Sequence, residues 1–150
     1  MLDVAATAIE GVGDVIRLAV APVFLLTGVG TMLAVLTSRL ARVVERARVI
    51  EARADAAPAV ERAALLQPLD AIAVRARLLN IAITLLTLCA LLVSMVVITL
   101  FLGAFFDFPL TRIIALLFIA AMLSFVGALL CFLREVFVAT AALRIGPQRR

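Results

Sequence analysis

The sequence predicts an all-α membrane protein with three transmembrane helices and a cytoplasmic helical hairpin between spans one and two. Three observations carry that reading. First, 66% of the 150 residues are apolar and only 16% are charged, with a mean hydropathy of +1.25; soluble domains are roughly 45–50% apolar. A fold of this size leaves about a third of its chain surface exposed, so this much apolar surface requires lipid as solvent. Second, residues 18–38, 78–106 and 113–133 form three stretches free of charge, each long enough to cross a hydrocarbon core that takes about 20 helical residues. Third, these stretches are continuous and rich in Leu and Ala, whereas a membrane barrel needs short alternating strands.

Taken in order, residues 1–17 read as an outer interfacial segment, with Leu2, Ala6, Ile9, Gly13 and Ile16 at helical spacing. Gly11 and Gly13 weaken that helix. Asp3, Glu10 and Asp14 stand where a secretory signal peptide would carry basic residues. Span one covers residues 18–38, with Pro22 in or near its first turn, where a missing N–H is harmless. Gly28 and Gly30 soften the helix or allow close packing, and their apolar surroundings exclude a phosphate loop.

Residues 39–77 form the predicted cytoplasmic hairpin. Leu40, Val43, Val44, Ala47 and Ile50 recur at steps of three and four, with charges on the other faces, so span one should continue as helix beyond the membrane. Pro58 marks a turn. A shorter helix through Val60, Ala63, Ala64 and Leu66 is expected to stop at Pro68, and a new one to start near Asp70 and carry Ile72, Arg75, Leu78 and Leu79 into span two, residues 78–102. The arms would bury their apolar stripes on each other or on a partner protein. Gly103, Asp107 and Pro109 place an outer loop at residues 103–112; span three covers 113–137 and a cytoplasmic tail 138–150.

Arginine sets the orientation. All fourteen cations are Arg. Eight lie in residues 39–77 and four from Arg134 onward, leaving Arg17 and Arg112 on the other side. By the positive-inside rule the N-terminus is outside and the middle segment and C-terminus face the cytoplasm. The same placement, interleaved with acids and beside spans, argues against nucleic-acid binding. The absence of His and Lys removes the usual neutral-pH base, the commonest metal ligand and any Schiff-base lysine. Cys89 and Cys131 each fall inside an apolar run and read as small core hydrophobes. No catalytic, metal or cofactor site is predicted, and the protein is expected not to be an enzyme.

Each span carries a stripe of small or hydroxylated residues at steps of three and four. Thr27 and Thr31 lie on span one with Ala34 and Ser38. Thr84, Thr87 and Ser94 follow Asn80 on span two, and Ser124 lies on span three with Ala120, Gly127, Ala128 and Cys131. Such stripes serve either inter-helix packing or a conduction path in an oligomer. No carboxylate stands in mid-span, where an ion-coupled transporter would keep one. The deepest ionisable residues, Arg134 and Glu135, end span three. Since neighbours in a helix do not face each other, Arg75 or Arg77, at the level of Asn80, is the expected partner of Glu135 in an inner-interface polar cluster.

The stretch LAVAPVFLLTGVGTMLAVLTSRLARVVERAR at residues 18–48, RARLLN at 75–80 and FLREVFVAT at 132–140 together resemble, in order, the bacterial domain-of-unknown-function 2721 family. The resemblance implies a small multi-pass membrane protein and carries no activity. In topology the chain is similar to the TolQ and ExbB proton-channel family, whose members form homo-oligomeric rings. The expected function is therefore a non-enzymatic membrane protein that oligomerises or scaffolds another membrane protein, in contact with membrane lipids. The alternative is a homo-oligomeric ion channel or proton conductor lined by the hydroxyl stripes.

Overall fold

In the computed structural model, residues 2–106 and 110–143 are described, with side chains described for residues 13, 16–58, 60–104 and 110–140. Three helices account for nearly all of them: α1 (Leu2–Ala56), α2 (Ala59–Phe106) and α3 (Thr111–Leu143). All three are long and apolar enough to cross a membrane. The protein is an all-helical membrane protein, and its helices overrun the membrane: 55 and 48 residues in α1 and α2 are more than twice the roughly 20 a bilayer core requires.

The break between α1 and α2 falls at Pro58. A proline disfavours helical backbone in the residue before it, and the Ala57 N–H closes back on the Ala54 carbonyl at 3.4 Å. The Pro58 carbonyl then accepts from the Glu61 and Arg62 amides at 3.0 and 3.2 Å, starting α2. Arg53 in the last turn of α1 and Glu61 in the first turn of α2 complement the helix dipoles. An Arg62–Asp55 ion pair ties the two ends together. The Leu110 carbonyl begins α3 in the same way, accepting from Ile113 and Ile114. The loop expectation at Asp107 and Pro109, and the distal tail with Arg144, Arg149 and Arg150, lie outside the described residues.

Two expectations are corrected. Pro68 does not end a helix: α2 runs through it without a break. Its ring removes a hydrogen bond to the Ala64 carbonyl, but residues 64 and 68 are both exposed, so that carbonyl faces solvent. Pro22 is not in a first turn either, because α1 begins at Leu2 and residues 2–17 are continuous with span one. The carbonyl it leaves unpaired is that of Leu18, an exposed residue next to Arg17 at the end of the apolar run. Pro68→Ala restores an interior hydrogen bond while freeing the unfolded chain. It is expected to raise the melting temperature in detergent by about 2–6 °C, and a fall would assign the ring a role of its own.

The chain forms two compact units. One combines Met1–Met32 with Leu86–Val126, the other Leu33–Leu85 with Gly127–Arg150. In the first, Ala19, Pro22 and Val29 of α1, Leu86, Cys89, Val93 and Val96 of α2 and Ala121 of α3 are buried. In the second, Leu36, Val43 and Ala54 of α1, Ile72, Leu79 and Ala82 of α2 and Ala128 and Glu135 of α3 are buried. Within each helix these positions keep a seven-residue period. α1 repeats at 22, 29, 36 and 43, and α3 at 121, 128 and 135. α2 carries two such series, 72, 79, 86 and 93 beside 82, 89 and 96, the second of which extends back to the half-buried position 75. A period of 3.5 residues per turn holds one seam of a helix against its neighbours. Beside that seam Gly127 leaves room for a neighbouring side chain: a Cβ there would stand 3.3 Å from Leu85 Cδ1.

Candidate functional site

Glu135 is the one buried charged residue among those described, 1% exposed. It occupies a core position of α3, seven residues after Ala128. A carboxylate withdrawn from water is tolerated only when opposite charge and hydrogen bonds meet it. Arg75 of α2 donates from Nε and Nη2 to Glu135 Oε1 at 3.1 and 2.8 Å. Arg39 of α1 donates from Nη1 to Oε2 at 2.9 Å. The Arg39 guanidinium also lies 5.0 Å from the centroid of the Phe132 ring, within cation–π reach. All three helices of the second unit therefore meet on one carboxylate, and no buried side-chain polar atom among the described residues lacks a partner.

Of the five residues expected in a polar cluster, the structure joins Arg75 to Glu135. Arg77, Asn80 and Arg134 are exposed and make no hydrogen bond or ion pair with it. Helix phase is the reason. Position 75 lies on the inward face of α2 with 72, 79 and 82, whereas positions 77 and 80 lie off it and 134 turns away from 135. Arg39 is an addition that the sequence reading misses. A signal for it exists: it directly follows the apolar run of α1, as Glu135 follows that of α3, and a single acid amid several cations attracts more than one of them.

Around this carboxylate is a cavity of about 360 Å³ lined by Arg39, Arg42, Arg46, Val43, Ile72, Arg75 and Glu135. Residues 39, 42, 43 and 46 share one face of α1 through steps of three and four. Four guanidinium groups against one carboxylate leave the lining with a formal charge of +3. Arg42 and Arg46 take part in no ion pair among the described residues, so the cavity offers unspent donors. A second hollow, about 310 Å³, runs between the α1 and α2 arms and includes Val43, Ala47, Glu51, Leu69 and Ile72; here the apolar stripes of residues 40–50 and 69–76 meet.

The hydroxyl stripes are not part of the core. Thr27, Thr31, Thr84 and Thr87 are exposed, and Ser94 and Ser124 are half-buried. Thr27, Thr31, Thr84 and Ser94 donate their hydroxyl protons to carbonyls four residues earlier, which satisfies them in lipid without a neighbouring helix. Cys89 is buried and Cys131 half-buried, and both are free thiols. Among the described residues, no three Cys, Asp or Glu side chains gather closely enough to hold a metal ion.

No curated protein and no solved structure matches the chain. A family model described as a protein of unknown function, DUF2721, matches residues 19–145. That span takes in the apolar runs of all three helices together with Arg39, Arg75 and Glu135. The chain belongs to the DUF2721 family of proteins of unknown function.

Proposed function

We propose that this is a non-enzymatic protein of the bacterial inner membrane that assembles with copies of itself through α1. The N-terminus lies outside, and the arms at residues 39–77 form a cytoplasmic hairpin. The observation that carries the reading is the outward face of α1. In the first unit it exposes Thr27, Gly28, Gly30 and Thr31 next to Phe24, and in the second Ala34, Thr37, Ser38 and Ala41 next to Val35. Beyond Thr84 and Thr87 of α2, the outward faces of the other spans are mostly large and apolar: Leu88, Leu91, Met95 and Ile98 on α2, and Leu116, Ile119, Leu123, Val126 and Leu130 on α3. Lipid chains are as apolar as leucine, so large side chains suit a lipid-facing surface, while small ones permit another backbone to approach and gain packing contacts. A Cβ at Gly28 or Gly30 would meet nothing within 4 Å, so packing within the chain does not require glycine there. Twelve arginines on one side of the spans against two on the other support the orientation.

Cysteine cross-linking tests the reading. In a background with Cys89 and Cys131 replaced by alanine, Ala34→Cys is expected to give oxidant-induced dimers in native membranes, and Leu123→Cys is not. Equal cross-linking at both positions, or a monomer by native mass spectrometry from gentle detergent, removes the proposal. The exposed hydroxyls of Thr27, Thr31 and Thr84 favour one second reading, a conductor of TolQ- and ExbB-like topology whose path runs between copies. Flux in sealed liposomes that Thr84→Val abolishes would select it.

A further inference from the structure

We infer that the arginine-lined cavity is a binding site for a phosphate group, and that its occupant is the headgroup phosphate of an anionic phospholipid. The inference stands independently of self-association. Glu135 engages three donors, Arg75 Nε and Nη2 and Arg39 Nη1. That leaves Arg75 Nη1, the remaining Arg39 donors and the guanidinium groups of Arg42 and Arg46 outside these bonds, and all four arginines line one cavity. Planar guanidinium groups match phosphate oxygens in geometry and give up hydration more readily than ammonium groups. Glu135 and Phe132 hold Arg39 in place before any ligand arrives, which lowers the entropy lost on binding. At about 360 Å³ the cavity has room for a phosphodiester, since one water takes roughly 30 Å³.

Two features favour a lipid over a soluble anion. The cavity lies where the apolar runs end: Arg39 is the first residue after residues 18–38, Arg75 stands three before Leu78, and Glu135 two after Leu133. A phospholipid phosphate occupies that level of a bilayer. Val43 and Ile72 supply apolar lining beside the cations, a combination suited to an amphiphile with a charged head and a glycerol backbone.

The test uses the purified full chain, freed of endogenous lipid in detergent and titrated with short-chain phosphatidylglycerol or phosphatidylcholine under native mass spectrometry. Wild type is compared with Arg42→Gln/Arg46→Gln, which removes two exposed cations of the cavity, and with Arg48→Gln/Arg53→Gln, which removes two cations of the same helix outside it. Phosphatidylglycerol is expected to bind wild type at least tenfold more tightly than phosphatidylcholine. The first double variant should weaken that binding about 10- to 30-fold with its melting temperature unchanged, and the second less than threefold, with a melting temperature lowered by no more than about 2–4 °C because Arg53 no longer complements the α1 dipole. Equal loss in the two doubles would reduce the effect to general surface charge and overturn the site, and equal affinity for the two lipids would overturn the anionic lipid as its occupant. Inorganic phosphate alone forms the other arm. If it raises the melting temperature of wild type but not of Arg42→Gln/Arg46→Gln, while neither lipid binds preferentially, the phosphate site stands and the lipid is overturned as its source.

Discussion

Glu135→Gln is expected to lower the melting temperature of the detergent-solubilised protein by about 6–12 °C. Removing one partner of a buried ion pair costs about 3–5 kcal/mol, and here the two arginines left behind are part-exposed, which holds the cost at the low end. Glutamine keeps the volume and one acceptor, which places this variant near 3 kcal/mol, and each kcal/mol moves the midpoint of a protein this size by about 2–4 °C. The two arginines should rank unequally. Arg75 makes two of the three bonds and is 23% exposed, while Arg39 makes one and is 35% exposed, so Arg75→Gln should cost more than Arg39→Gln and less than Glu135→Gln. The Glu135→Gln/Arg75→Gln double should lose less than the sum of the singles, since both act on one network. Thermal melts of the four variants check this. An unchanged midpoint for Glu135→Gln, or Arg39→Gln as the worst of the three, contradicts the network.

What is legible in the sequence follows from what the solvent enforces. Lipid leaves no water to bond a backbone amide, so apolar runs of about 20 residues must be helices, and hydropathy alone counts all three. The turn at Pro58 is legible because proline there coincides with a shift from one apolar stripe to the next. Pro68 misleads when proline is weighed only as a local breaker. Half-buried Leu65 and buried Ile72, seven residues apart on either side of it, continue the inward face, and its lost carbonyl partner lies on the wet face. Membrane level alone narrows the partner of Glu135 to Arg75 or Arg77. Choosing between Arg75 and Arg77, and adding Arg39, requires the seven-residue phase of the buried seam. That phase is faint in the spans, because nearly every position there is apolar and the pattern that marks a buried face in water disappears. The hydroxyl stripes are legible as stripes but not as exposed ones, since small residues suit a face turned inward or toward another copy equally well.

The same difference in solvent gives the second large effect. Ile72 lies in the charged stretch before span two and Leu86 inside the span, and both are buried. Truncating a buried aliphatic side chain costs about 2–5 kcal/mol in a soluble core, the sum of a transfer term and a cavity term. The transfer term, about 1.5–3 kcal/mol for a full side chain, reports the return of apolar surface to water. For Ile72 both terms apply, so Ile72→Ala is expected to cost about 2–4 kcal/mol. For Leu86 an opened helix pair exposes the side chain to acyl chains rather than to water, and only lost packing remains. Leu86→Ala should therefore cost about 1–2 kcal/mol, although leucine is the more completely enclosed of the two. Unfolding measured in bilayers, by trapping the separated helices with a bound label, supplies the comparison under conditions where lipid is the reference. A Leu86→Ala loss equal to or above that of Ile72→Ala would mean that residues 72 and 86 face the same solvent when the helices part, and the membrane boundary drawn between them at residue 78 would have to move.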